Sequence, residues 1–207
     1  MRIIAGTLKG RRLAAPTWDG LRPTSDKLRE TLFNVIANRV ENARFLDGFA
    51  GTGAVGLEAL SRGAAQVTFI ERDPRACKLI EQNAAGCGVT DGYIIVRGGF
   101  AGSDDFAARG DGARQKRGQS ARRSPPGPIG GWSLGPFDVV FLDPPYADPV
   151  LDDAMRAAVT WLSPSGLLIV EHAARDPIAE PSGARLTRDL RSGDSALAFM
   201  ERVGEDA

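Results

Sequence analysis

Phe137-Asp-Val-Val-Phe-Leu-Asp-Pro-Pro-Tyr146 is the stretch on which the reading of this chain turns. Residues 137–142 form an almost unbroken apolar run, the pattern of a strand buried on both faces of a parallel sheet. Asp143-Pro144-Pro145-Tyr146 stops it, because two prolines remove two backbone donors and fix φ. What remains is a rigid turn at a strand's carboxyl end, carrying one carboxylate, exposed carbonyls and one aromatic ring. In open α/β sheets, ligands bind in the crevice beyond such ends.

Outward from that strand the chain alternates. Strand patterns fall at 44–49, 66–71, 93–97 and 167–171, and helix patterns at about 54–62, 74–86 and 149–162. Asp73 followed by Pro74 is a helix start, a capping carboxylate and then a proline at the first helical position. Such alternation predicts a doubly wound, mostly parallel α/β sheet. At the end, 184–190 and 196–202 flank Arg191-Ser-Gly-Asp194 with no room for a helix, which predicts an antiparallel C-terminal hairpin and seven strands in all. At the start, short runs at 2–6 and 11–15 surround Thr7-Leu-Lys-Gly10 and predict a small β-hairpin that must lean on the domain or on a partner. Pro23 keeps Arg22 extended, and Thr24 or Ser25 caps a helix expected over 26–39, with Leu28, Leu32, Val35 and Ile36 on one face. The expected organisation is an N-terminal extension at 1–24 and one domain at 25–207, interrupted by a flexible basic insertion at about 101–136.

Composition limits the partners. Lys plus Arg and Asp plus Glu are both 26, so no global field draws the protein onto a polyanion. The first 29 residues nevertheless carry a local excess of five positive charges, from Arg2, Lys9, Arg11, Arg12, Arg22, Lys27 and Arg29 against Asp19 and Asp26. Cys77 and Cys87 form no Cys-x-x-Cys pair and His172 is the single histidine, so free thiols and no metal site are expected. With no apolar stretch of signal or membrane-spanning length, a cytoplasmic protein is expected.

Gly51-x-Gly53-x-x-Gly56 follows one strand and opens a helix, where glycines let the backbone turn tightly and approach a ligand. Asp47 sits four residues before Gly51, and a carboxylate there disfavours a diphosphate. It suits a cationic ligand instead, such as the amino-acid moiety and sulfonium of S-adenosylmethionine (SAM). Glu71 closes the second strand, the place from which an acid accepts hydrogen bonds from ribose hydroxyls. With a sulfonium donor in the crevice, Asp143 and the Pro144 carbonyl can accept hydrogen bonds from an exocyclic amine while Tyr146 stacks on its base. His172 reads as structural, and Glu171 as a weaker cleft candidate. A DNA adenine-N6 methyltransferase, an NAD-dependent oxidoreductase and a non-catalytic RNA-binding factor stay open on these residues alone.

The chain resembles the RsmD family of bacterial 16S rRNA guanine-N2-methyltransferases. The resemblance is carried by Arg2-Ile-Ile-Ala-Gly6, Gly10-Arg-Arg12, Arg22-Pro-Thr24 with Asp26, Arg29-Glu30 and Phe33-Asn34. It continues through 49–64, 138–146 and Gly193-Asp-Ser195. It implies a Rossmann-like SAM-dependent methyltransferase fold, acting as a monomer on 16S rRNA in assembling 30S particles. Asp143, Pro144 and Tyr146 would be catalytic. Asp47, Gly51, Thr52, Gly53, Glu71, Gly99 and Phe100 would hold SAM, and Arg2, Lys9, Arg11, Arg12 and Arg22 would hold RNA. Two residues depart from the pattern. Gly98-Gly99-Phe100 stands where an adenine-contacting Asp is common, and Gly48 replaces a bulkier residue beside Asp47. Both predict weaker SAM binding than the family norm. Gly99→Asp should tighten SAM binding measured by calorimetry, and an unchanged affinity would count against that account.

Overall fold

The computed structural model describes residues 1–18, 24–99, 135–145 and 149–203. In chain order the elements are α1 (Asp26–Val35), α2 (Ala37–Val40), β1 (Arg44–Gly48), α3 (Ala54–Ser61), β2 (Gln66–Glu71), α4 (Pro74–Gly86), β3 (Tyr93–Arg97), β4 (Phe137–Leu142), α5 (Leu151–Trp161), β5 (Leu162–Ala173), β6 (Ala184–Ser192) and β7 (Ser195–Arg202). The described strands form one seven-stranded sheet in the order β3-β2-β1-β4-β5-β7-β6. β7 runs antiparallel to both β5 and β6, and the other pairs are parallel. This is the mixed sheet that the alternation and the terminal hairpin predict. Strand order reverses between β1 and β4, so their carboxyl ends flank the crevice where doubly wound sheets take ligands.

Local chemistry accounts for the helix starts. Ser25 Oγ accepts the Leu28 amide at 3.1 Å, and Asp73 accepts the Arg75 amide with Pro74 next in the chain. Gly53 opens α3 with φ 74°. One turn on, a Cβ at Gly56 would lie 2.3 Å from the Phe69 ring and 2.7 Å from Val67, so this glycine serves the close packing of α3 on β2.

The two faces of the sheet are buried differently. Phe45, Phe69, Val139, Phe141, Ile169 and Phe199 pack with α1, α3 and α4, whereas Leu46, Ile70, Val140, Leu142, Leu168 and Val170 pack with α5. Each such side chain contributes roughly 1.5–3 kcal/mol by leaving water. No helix among the described residues is long and apolar enough to cross a membrane.

Three elements differ from expectation. The helix expected over 26–39 breaks at Ile36 (φ −97°, ψ 16°), where two β-branched residues, Val35 and Ile36, are adjacent. β5 is longer than the expected 167–171, because Leu162 already pairs with Phe137. Ser163-Pro-Ser-Gly166 is then accommodated by a register shift before Val139 meets Leu167. The N-terminal hairpin has a single antiparallel bridge, Arg2 to Arg12. The amides of Ile3, Lys9, Gly10, Arg11 and Leu13 bond within the hairpin, whereas four others are directed at the domain: Ile4 and Ala5 donate to Glu58 at 2.7 and 2.9 Å, Thr7 to the Ser61 carbonyl at 2.8 Å, and Leu8 to Ser61 Oγ at 2.9 Å. Gly6 is obligatory there, since a Cβ would come 1.8 Å from that carbonyl and φ is +80°.

Glu58 is fully buried and has cationic company. Arg62 Nε donates to it at 2.8 Å, and Arg29 Nη1 lies 3.8 Å away. Arg29, also fully buried, donates to the Arg2 carbonyl at 2.9 Å and to Asp26 at 2.6 Å. One ionic cluster thus ties hairpin, α1 and α3 together. Glu58→Ala should cost about 3–5 kcal/mol in urea unfolding, because it leaves the Ile4 and Ala5 amides without their acceptor and takes a buried carboxylate from Arg62 and Arg29. It should also expose residues 2–14 to limited proteolysis under native conditions.

Candidate active site

Strand register builds the site. Asp47 pairs with Phe69 on one side and Phe141 on the other, and Phe141 pairs with Ile169. Two residues further along these neighbours stand Glu71, Asp143 and Glu171. Side chains alternate along a strand, so all four carboxylates share the face that packs against α1, α3 and α4. Asp47 lies one row deeper than the other three.

Asp47 is 2% exposed and accepts the Gly56 amide at 2.8 Å. Burial is the chief reason that its carboxyl is pushed up to about 8; the Gly56 amide opposes the rise and the charge of Glu71 adds to it. Glu71 accepts the Gly51 amide at 2.9 Å on one oxygen and the Asp73 amide at 2.8 Å on the other. Gly53 donates to the Ala50 carbonyl at 2.7 Å. The glycine-loop amides that would cradle a diphosphate are therefore engaged at three positions, two of them by carboxylates. A set of acidic groups with its backbone donors consumed fits a cation, not a phosphate. The donor set thus suits the sulfonium and ammonium of SAM.

Asp143 lies just past β4, half-buried, with its amide still directed at the Gly48 carbonyl at 3.4 Å. Thr24 Oγ1 donates to Asp143 Oδ2 at 2.9 Å. Burial raises this carboxyl well above the ordinary range, and the neighbouring charge of Glu171 raises it further; the Thr24 hydroxyl acts in the opposite direction. Pro144 is buried and Pro145 exposed. Gly98 donates to the Glu71 carbonyl at 3.0 Å, which leaves Gly99 exposed past the end of β3. Thr52 is 3% exposed.

Arg2, Lys9, Arg11 and Arg12 are all exposed, and none of these side chains forms an ion pair among the described residues. Arg2 and Arg12 face each other across the bridge, where like charges repel. A cleft of about 390 Å³ beside them is lined by Met1, Arg2, Arg12, Leu13 and Asp26. Arg22, Phe100, Tyr146 and nearly all of the 101–136 segment lie outside the described residues.

His172 is structural. Its Nδ1 faces the Ala173 and Asp176 carbonyls at 3.1 and 3.0 Å, and its Nε2 faces Asp189 at 3.2 Å. Cys77 is a free thiol that burial pushes up to about 11. Sequence reasoning missed Asn83, a buried amide on α4. Its Nδ2 donates to the Thr52 carbonyl at 2.9 Å while its Oδ1 accepts the Ala14 amide at 2.7 Å, joining glycine loop to hairpin. No local pattern marks it. Glu171, the weaker cleft candidate in sequence, stands in the acidic row, and the signal for it is that it ends an apolar run as Glu71 does.

Fold and site together define a Rossmann-like, SAM-dependent methyltransferase. The family model described as Conserved hypothetical protein 95 matches residues 1–103 and 132–201. Ribosomal RNA small subunit methyltransferase D of Haemophilus influenzae is 33% identical over 93% of this chain and 89% of its own length. Its Escherichia coli namesake is 31% identical over 99% and 91%. The chain belongs to this family, that of ribosomal RNA small subunit methyltransferase D. Among solved structures, YhhF of Escherichia coli superposes with a TM-score of 0.74 at 32% identity, covering 98% of this chain and 97% of that one. An RNA methyltransferase of Salinibacter ruber, solved with S-adenosyl-L-homocysteine, shares the fold (TM-score 0.59, 17% identity, covering 89% and 98%).

The buried Asp47 makes folding pH-dependent. Its folded value, about 8, lies above the ordinary 3.8, so the native state holds a proton that the unfolded chain releases between those limits. The stability this proton contributes is present below pH 4 and is lost as pH rises toward 8. Asp47→Asn should flatten the stability of the ligand-free protein over that window by a few kcal/mol relative to the parent, measured by urea unfolding at pH 5 and pH 8.

Proposed function

We propose that this chain transfers a methyl group from SAM to the exocyclic N2 amine of a guanine in 16S rRNA. It does so as a cytoplasmic monomer working on an assembling 30S particle. The observation that carries the reading is the placement of Asp143: a carboxylate fixed by Thr24 and a proline turn, on the same acidic face as Asp47 and Glu71. Bound in that crevice, SAM supplies a methyl group activated by its sulfonium. Asp47 suits the cationic amino-acid end. Glu71, whose oxygens each keep a second lone pair, suits the ribose hydroxyls, and the backbone at Gly98 and Gly99 together with Phe100 suits the adenine.

A guanine amine is a poor nucleophile because its lone pair is delocalised into the ring. Asp143 and the Pro144 carbonyl accept its hydrogens and so hold the lone pair toward the methyl group, with Tyr146 on the face of the base. Catalysis is then positioning and electrostatics. Arg2, Lys9, Arg11, Arg12 and Arg22 meet phosphates, and a phosphate near Arg2 and Arg12 relieves their mutual repulsion. Support for an rRNA substrate comes from the relatives' names and from the exposed Arg2, Lys9, Arg11 and Arg12; the preference for guanine N2 follows the family resemblance.

Incubation with labelled SAM and 30S particles, naked 16S rRNA or DNA, followed by nucleoside analysis, should yield N2-methylguanosine from RNA. Asp143→Ala should lower transfer by about 10²–10³-fold, the scale of losing one well-placed acceptor. Methyladenine on DNA, or transfer undiminished in the variant, would sink the reading.

A further inference from the structure

Glu171 stands outside the roles assigned so far. It is 6% exposed and closes the apolar run of β5. Leu142 pairs with Val170, so the next residues, Asp143 and Glu171, are side by side on adjacent parallel strands. The charge of Glu171 acts directly on the Asp143 carboxyl and raises it. Two such carboxylates can hydrogen-bond to each other only through a shared proton, since an ionised carboxylate only accepts. Among the described residues, the charged groups acting on Asp143 are both acidic, Glu171 from β5 and Asp47 from β1, and the neutral hydroxyl of Thr24 ahead of α1 also reaches it. A buried pair of like groups is a poor choice for structure alone, when an amide or a leucine would fill the same place.

We infer that Glu171 is a positioning residue for methyl transfer: it shares one proton with Asp143, so that the pair presents a single negative charge to the target amine and takes up the proton that amine sheds. The inference rests on the proposed amine-methylating role of Asp143. In the transfer, the amine nitrogen forms a bond to the methyl carbon as the carbon–sulfur bond breaks, and the bonding pair stays on sulfur. The nitrogen then carries one proton in excess. That proton passes to Asp143, the pair becomes neutral, and one proton returns to solvent before the next turnover. Thr24 acts in the complementary sense. By donating to Asp143 Oδ2 it leaves the other oxygen for Glu171 and favours the ionised carboxylate.

Two substitutions move the pair in opposite directions. Glu171→Gln removes the neighbouring charge and offers an amide donor, so Asp143 should ionise at lower pH. Thr24→Val removes the donor that stabilises the carboxylate, so Asp143 should ionise at higher pH. The readout is the midpoint of the Asp143 carboxyl carbon in NMR titration of the ligand-free, carbon-13-labelled protein, beside the acid limb of single-turnover methyl transfer to 30S particles. Shifts of about one to three pH units, down for Glu171→Gln and up for Thr24→Val, are expected in both measurements. A midpoint that does not move in Glu171→Gln overturns the shared proton. Should that variant not fold, an unmoved midpoint in Thr24→Val does so. A moved midpoint with an unmoved acid limb overturns the catalytic part. A wild-type protein that methylates no RNA overturns the function proposed above and that same catalytic part, while the titration still decides the pairing.

Discussion

In-register parallel pairing of β2, β1, β4 and β5 is the constraint from which the rest of this molecule follows. Register brings one carboxylate from each strand to a single face at the carboxyl edge, Glu71, Asp47, Asp143 and Glu171. The same face carries the phenylalanine rows of the core just below. Apolar burial therefore drives the strands together, and the acidic groups are carried along into a region where charge is disfavoured. The protein offsets part of that penalty locally, with the Gly56 amide for Asp47, the Gly51 and Asp73 amides for Glu71 and the Thr24 hydroxyl for Asp143. What remains raises the Asp47 and Asp143 carboxyls above the ordinary range.

The N-terminal segment shows the opposite arrangement. Its basic side chains stay in water, while the amides of Ile4, Ala5, Thr7, Leu8 and Ala14 are taken by the domain. Glu58 and Ser61 of α3 and Asn83 of α4 receive or supply most of these bonds. A hairpin with one bridge is far too small to persist alone. Held this way, it presents Arg2, Lys9, Arg11 and Arg12 from a fixed platform, and Asn83 links that platform to the glycine loop through Thr52. Basic hairpin and glycine loop are thus joined through three hydrogen bonds of the Asn83 amide, two to Ala14 and one to Thr52.

Much of the fold was legible in the residues. Apolar runs of strand length ending in Gly, Asp or Pro, and helices announced by Ser25 and Asp73, gave the element order and the terminal hairpin. Local chemistry decides such features, because caps, prolines and alternation act over a few residues. Part of what was misread involved packing across the chain. The early start of β5 at Leu162 depends on Phe137, more than twenty residues away, whereas the break at Ile36 is local to the Val35-Ile36 pair.

The sequence by itself determined the class of site. Asp47 before Gly51-x-Gly53, Glu71 at a strand end and Asp143-Pro-Pro-Tyr146 lead to the expectation of a cationic methyl donor beside an acceptor for an amine, since residue type and spacing set that chemistry. Only the tertiary structure decided how those groups share protons and donors. Gly56 lets α3 pack closely on β2, the amides of Gly51, Gly53 and Gly56 are already taken, and Glu171 stands beside Asp143. Neighbourhood across strands is fixed by register, and register is a property of the assembled sheet that no single segment carries.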